Sequence, residues 1–297
     1  MKSAYIIFFL FSQIIVHAQQ RVIESFKGEK KLEVKEGKWE YFDANKKLVR
    51  VENYADGKLN GVVMNYFPNG NISESWTYMM GKVNGPYTSF FENGQKQVQG
   101  KYIDSLEQDE WIYYFDNGQK SVIKGYDKGV SNGALIAFSK DGVMQINGNY
   151  KNNLRHGLWK DFHPNGKVRL DANFKNGKYE GPYRSYYENG VLQSEAYFMN
   201  EVLEGQKMEY DSTGKIQRRS VYRNGLLSGG WEEHYPNGNM KEKGIYLSGK
   251  KSGVWTYYYE DGKPKEKGGY QMDDKICKWT IWDEMGKKRK EKFKKPQ

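Results

Sequence analysis

Residues able to carry out chemistry are few in this chain. Among 297 residues it holds four histidines, His17, His156, His163 and His234, and one cysteine, Cys277. A zinc hydrolase needs paired histidines with a glutamate beside them on a helix, and neither His156 nor His163 has that neighbourhood. His234 stands in a column otherwise filled by aromatics and reads as a packed substitute for one. Asp273 and Asp274 are adjacent carboxylates without the spaced ligands of a calcium loop. No Gly-x-Ser-x-Gly elbow, Walker loop or dinucleotide-binding glycine pattern occurs. The 37 Asp and Glu residues could supply an acid–base pair, yet no pair recurs at a fixed spacing. The expectation is a protein that is not an enzyme, with no catalytic, cofactor or metal site. What is abundant is aromatic surface: 24 Tyr, 14 Phe and 8 Trp, 15% of the chain.

The elements that position those aromatics follow from a repeat. With Gly37 as position 0, glycines recur at 61, 85, 133, 157, 181, 205, 229 and 253, always a multiple of 24 residues away. Asp109 and Cys277 fill the same column, which gives eleven repeats without an insertion. Position +2 holds Trp39, Trp111, Trp159, Trp231, Trp255 and Trp279. Position +5 is aromatic in nearly every repeat, and position +17 is Tyr or Phe from Tyr54 to Tyr270. Cys277, in a glycine column, is expected to be small and buried.

Each repeat reads as two short strands. A second glycine stands at +9, usually after Asn, as in Asn69-Gly70 and Asn165-Gly166. Asn-Gly between apolar runs is a hairpin signal, because both residues tolerate positive φ. Pro68, Pro164 and Pro236 precede that Asn, which favours a type I turn closed by glycine in a left-handed bulge. That register sets +5 opposite +11, aromatic against aliphatic. A second tight turn, such as Asp56-Gly57 or Asn176-Gly177, joins one repeat to the next. The expected fold is all-β, an elongated single-layer antiparallel meander of about eleven 24-residue hairpins. About 22 strands at roughly 4.8 Å spacing would extend on the order of 100 Å. No segment has a helical period.

At the N-terminus Lys2 precedes an apolar run from Ala4 to Val16, and Val16 and Ala18 make a small-residue cleavage site. That order reads as a secretory signal peptide, and the run is short for a membrane span. The expected organisation is a signal peptide at 1–18, a capping segment at 19–36, the repeat array at 37–288 and a basic tail at 289–297. The net charge is +10, or +9 once Lys2 leaves with the signal. Export, to the periplasm, the outer surface or the medium, argues against nucleic acid as partner. Aromatic content excludes a disordered chain, and a single cysteine excludes a disulfide scaffold.

The recurring Tyr-x-x-Gly-Lys-x-x-Gly-x-Trp-x-x-Tyr-x-x-Asn-Gly resembles the bacterial variant of the MORN repeat, of the type found in YwqK-like antitoxin proteins. The resemblance covers about residues 37–290. It implies a twisted single-layer sheet of stacked hairpins, and roles in protein scaffolding, lipid binding or neutralisation of a toxin. The expected function is a non-catalytic exported scaffold that binds a protein partner through its aromatic-rich surface. The alternative is an envelope module for anionic lipid or glycan. One candidate binding residue is named: position +15 is small in Gly100, Gly148, Ala172, Ala196, Ser220, Gly244 and Gly268, whereas Trp76 stands there in its own repeat.

Overall fold

The computed structural model describes residues 34–293. Residues 1–33, with the expected signal peptide and most of the capping segment, lie outside the described residues, as do 294–297 of the basic tail. Among the described residues are 24 strands and no helix. They fall into two compact units divided at Leu106. In the N-terminal unit, strands from Gly37–Phe42 to Lys96–Ile103 form an antiparallel meander. In the C-terminal unit the strands form a meander by the same rule, ending at Lys288–Phe293, so most of the basic tail is the last strand.

Local chemistry accounts for both turns. In the first, Phe67 N–H donates to Asn71 O (2.8 Å) and Gly70 N–H donates to Phe67 O (2.9 Å). This is the three-residue loop expected from Pro-Asn-Gly, with Gly70 at φ +90°. It sets Tyr66 opposite Ile72 and Phe162 opposite Val168, the expected +5/+11 register. The Asn, however, does not use positive φ. Its carboxamide does the work: Asn165 Oδ1 accepts from Lys167 N–H, and Nδ2 donates to Glu188 O of the next repeat. Asn69, Asn117, Asn189 and Asn237 repeat that bond to the next turn. The second turn has two residues at positive φ, such as Asn176 and Gly177, the type I′ geometry that suits strand twist. These turns also stack, through Gly177 N–H to Arg155 O and Gly225 N–H to Leu203 O.

The repeat glycine is not a turn residue. It lies inside a strand at positive φ, where the register to the preceding strand slips by two residues. The slip is a β-bulge. Cys277 and Asp109 occupy the same bulge at φ +63° and +61°. Cys277 is exposed, which corrects the expectation of a small buried residue: the column selects a backbone conformation, and solvent occupies the side-chain space.

Alternation sends positions +2, +4, +15 and +17 to one face and +1, +3, +5 and +16 to the other. Most buried apolar residues gather on the first face: Val63 in the N-terminal unit, and Trp111, Trp159, Leu170, Ala172, Phe174, Trp255 and Trp279 in the other, while Val51, at +14, is buried on the opposite face.

Candidate functional site

On the first face the bulge determines what the tryptophans meet. It brings position +15 of one repeat opposite +2 of the next, as in Ala172 opposite Tyr183. Where +15 is glycine, the indole lies flat on its backbone. A Cβ built on Gly148, Gly244 or Gly268 would fall inside the ring of Trp159, Trp255 or Trp279. The small column is therefore a bed for the ring. Aromatics at +17 flank it edge-on, as Tyr150 and Phe174 flank Trp159 at 5.6 and 6.0 Å. A cation two places before the repeat glycine closes the other side. Arg155 lies 4.5 Å from the Trp159 ring, Lys251 3.9 Å from Trp255 and Lys275 4.0 Å from Trp279. Such cation–π contacts gain strength when partly desolvated.

Glu52 and Lys124 also occupy position +15. Glu52 is buried; its carboxylate accepts from Arg50 Nε (2.6 Å) and Tyr54 Oη (2.7 Å). Burial alone would raise its pKa, but hydrogen bonds from Tyr41, Tyr54 and Arg50 outweigh that and hold it below the ordinary range. Burial, reinforced by Glu52, pushes Tyr54 up to about 12. Lys124 Nζ sits 4.7 Å from the Tyr126 ring.

Trp76 inverts the arrangement. Its own +2 partner is Val63, which is fully buried beside it. The half-buried indole of Trp76 takes the place that a +2 tryptophan fills elsewhere, 4.2 Å from the Tyr87 ring and 5.7 Å from Tyr102.

The sequence's other polar candidates are absorbed by structure. His163 Nε2 donates to Tyr186 O at 2.9 Å, as Tyr187, Tyr235 and Tyr259 hydroxyls bond the same carbonyl position in later repeats. His234 is half-buried opposite Met240. Asp273 is a turn residue whose Oδ1 accepts from Lys251 N–H. Glu233 and Glu242 do stand directly opposite one another. Arg218 and Lys241 pair with the first; Lys251 pairs with the second, which also accepts from Trp231 Nε1. Among the described residues, no three of His, Cys, Asp and Glu converge on a metal-sized site, and no helix is long and apolar enough to cross a membrane.

The opposite face carries features that composition hid. Met199, Leu226, Ile245, Leu247 and Val254 are each more than half exposed, and Tyr197 nearly so. They fall at positions +16, +18, +21 and +1, beside the repeat-joining turns of neighbouring repeats. Farther in, a shallow depression of about 310 Å³ is lined by Ile245, Val254, Lys243, Thr256 and Lys267.

Comparison with known proteins bears on the repeats. The family model described as the MORN repeat variant matches residues 35–56, 59–79, 83–104, 155–176, 179–200 and 251–272. Six of the repeats thus match the MORN repeat variant, in keeping with a repeat scaffold. No curated protein matches. Among solved structures, the crystal structures of TcdB2-TccC3 and of TcdB2-TccC3-Cdc42 are each 12% identical to the chain. Alignment covers 84% and 86% of this chain but 21% of each of those, with TM-scores of 0.15 and 0.13. The chain therefore spans about a fifth of the length of these two.

Proposed function

We propose that the chain is a non-catalytic repeat scaffold that holds a protein partner against the sheet face opposite the tryptophan row. The observation that carries this reading is the exposed apolar group of Tyr197, Met199, Leu226, Ile245, Leu247 and Val254. Exposed apolar side chains gathered on one sheet face are candidate contact points on an otherwise polar protein. Of the aromatic-rich surface expected to make the contact, Trp159, Trp255 and Trp279 are consumed by their own glycine beds and cation caps. Trp76, half-buried on the tryptophan face, is a separate candidate contact on that other side of the sheet. An immunity role is the special case in which the partner is a toxin, and export follows from the charged, apolar, small order of residues 1–18.

The test is co-purification from an envelope extract, followed by gel filtration of the complex at known stoichiometry. A Met199→Ser/Leu226→Ser/Leu247→Ser variant should lose a stoichiometric protein that wild type retains. Trp76→Ala loses it as well if that indole is an anchor, and keeps it if the apolar group acts alone. Retention by the triple variant, or the absence of any stoichiometric protein from the wild-type complex, would overturn the reading.

A further inference from the structure

The face that carries the depression also carries a line of side chains whose order is set by strand pairing. Lys243 pairs with Thr256, Thr256 with Lys267, Lys267 with Thr280, and Thr280 with Lys290. Directly paired residues share a face, so five consecutive strands present Lys-Thr-Lys-Thr-Lys in a row. Each lysine is two strands from the next, about 10 Å. The three lysines are exposed, and among the described residues none makes an ion pair. Glu232, which begins the row opposite Lys243, is already paired with Arg219 at 3.6 Å. Thr256 is buried and forms the floor between Lys243 and Lys267, inside the depression.

Alternation places a second line on the same face. Thr256 and Tyr258 are two residues apart on one strand, and Thr280 and Trp282 on another. The rings of Tyr258 and Trp282 are thus also two strands apart, and both are half-buried. Lys278 and Lys292 stand directly opposite one another on this face. Like charges in that position destabilise a sheet. That pair adds to the positive charge of the face beside the row.

We infer that this face binds a linear acidic polysaccharide that carries one carboxylate on every second sugar. The disaccharide of such a polymer matches the lysine interval. Carboxylates fall on Lys243, Lys267 and Lys290, hydroxyls reach the threonine positions, and the apolar faces of sugars rest on Tyr258 and Trp282. A bilayer surface offers anionic groups in two dimensions with no preferred line. A row one residue wide, with aromatic rings on one flank and a depression between Lys243 and Lys267, suits a chain. This site lies on the same face as the protein-binding group, whose Ile245 and Val254 border the same depression, but its lysines, threonines and rings are separate residues, and it does not rest on that reading.

The probes are hyaluronan oligosaccharides from disaccharide to decasaccharide, a neutral cello-oligosaccharide of equal length, and phosphatidylcholine vesicles containing phosphatidylglycerol. Binding to full-length protein is measured by calorimetry at physiological salt. Affinity should rise with hyaluronan length as successive lysines engage, and the neutral oligosaccharide should bind weakly. The variant Lys243→Gln/Lys267→Gln/Lys290→Gln should weaken decasaccharide binding roughly tenfold, as expected for loss of three exposed charge contacts. Lys151→Gln/Lys175→Gln/Lys178→Gln removes the same charge elsewhere and should leave binding within about twofold of wild type. Equal loss in both variants would reduce the row to net charge. Binding to vesicles but not to the oligosaccharide would assign the face to lipid. Either result, or no binding to any probe, overturns the inference.

Discussion

Two glycine-to-alanine substitutions in the C-terminal unit should have opposite outcomes. Gly148 and Gly230 are both strand glycines outside the positive-φ region, so alanine strains neither backbone. At Gly230 a new Cβ meets nothing within 4 Å. Alanine there should be neutral or stabilising by up to about 1 kcal/mol, because it restricts the unfolded chain. At Gly148 the Cβ lands inside the indole of Trp159. That ring has no free direction in which to move. It is 1% exposed, Arg155 covers its far side at 4.5 Å, and its Nε1 donates to Asp161 Oδ1 at 2.9 Å. Tyr150 and Phe174 hold its edges. Relief by repacking would cost about 1–3 kcal/mol. Expulsion of the ring would approach the cost of deleting it, about 3–5 kcal/mol. We expect Gly148→Ala to destabilise by about 3 kcal/mol, between these limits.

Denaturant unfolding followed by near-ultraviolet circular dichroism would check both signs. A double-mutant cycle with Trp159→Leu sharpens the test, because a smaller side chain leaves room for the new methyl. The cycle should show a coupling of about 1.5 kcal/mol or more in the relieving direction. Additive effects, or a cost below about 0.5 kcal/mol for Gly148→Ala alone, would show that the indole does not depend on a side-chain-free bed.

Three further substitutions probe other parts of the repeat. Asn165→Gly should destabilise by about 1 kcal/mol, since it removes the acceptor for Lys167 N–H and the donor to Glu188 O; if the site required only backbone freedom, glycine would be tolerated. Cys277→Gly should raise stability by about 0.5 kcal/mol or more, because an exposed β-carbon at φ +63° is exchanged for none. In the N-terminal unit, the lowered pKa of Glu52 means stability that is present above the ordinary carboxylate range and lost as pH falls through it. The raised pKa of Tyr54 means stability that is full below about 10 and lost as pH rises toward about 12. Midpoints measured across this range in wild type and Glu52→Gln should show a flatter acid limb in the variant.

The turns were legible because they are local. Pro68, Asn69 and Gly70 fix the first hairpin, and the +5/+11 register follows from loop length alone. The pairing that makes the core was not legible, for a geometric reason. Counting from the tight turn Asn152-Asn153 sets Gly148 opposite Gly157. The bulge at Gly157 moves the register by two, so Ile146 pairs with Asp161 and Gly148 comes to face Trp159. Nothing in the chain announces a bulge in a glycine column except its exceptions, Asp109 and Cys277, two residues that share no size or polarity. Their common requirement was backbone conformation. The lysine row was hidden in the same way, since Lys243 meets Thr256 and Lys267 meets Thr280 only through that shifted register.

The bed-and-ring pairing also decides which repeats can be removed. Deleting Gly253 to Ile276 joins Ser252 to Cys277, an equivalent junction. Trp279 then faces Gly244, which already carries the ring of Trp255, and Lys251 takes over from Lys275 as the covering cation. Deleting Gly133 to His156 joins Asn132 to Gly157 with the same period, turn and strand direction. There Trp159 would face Lys124, the +15 residue of the preceding repeat, and Ser131 would replace Arg155 above the ring. In a quasi-one-dimensional array stability is a sum of repeat and interface terms, so the two deletions remove comparable numbers of contacts but leave different interfaces. The first should yield a soluble protein with cooperative unfolding and a buried Trp279. The second should lose several kcal/mol at the new junction, by expulsion of Trp159, with red-shifted fluorescence and aggregation. Changing Lys124 to glycine within the second deletion should restore much of the loss. Equal tolerance of the two deletions, or no rescue by Lys124→Gly, would mean that the interface between repeats is set by something other than the fit of a +2 ring on a +15 backbone.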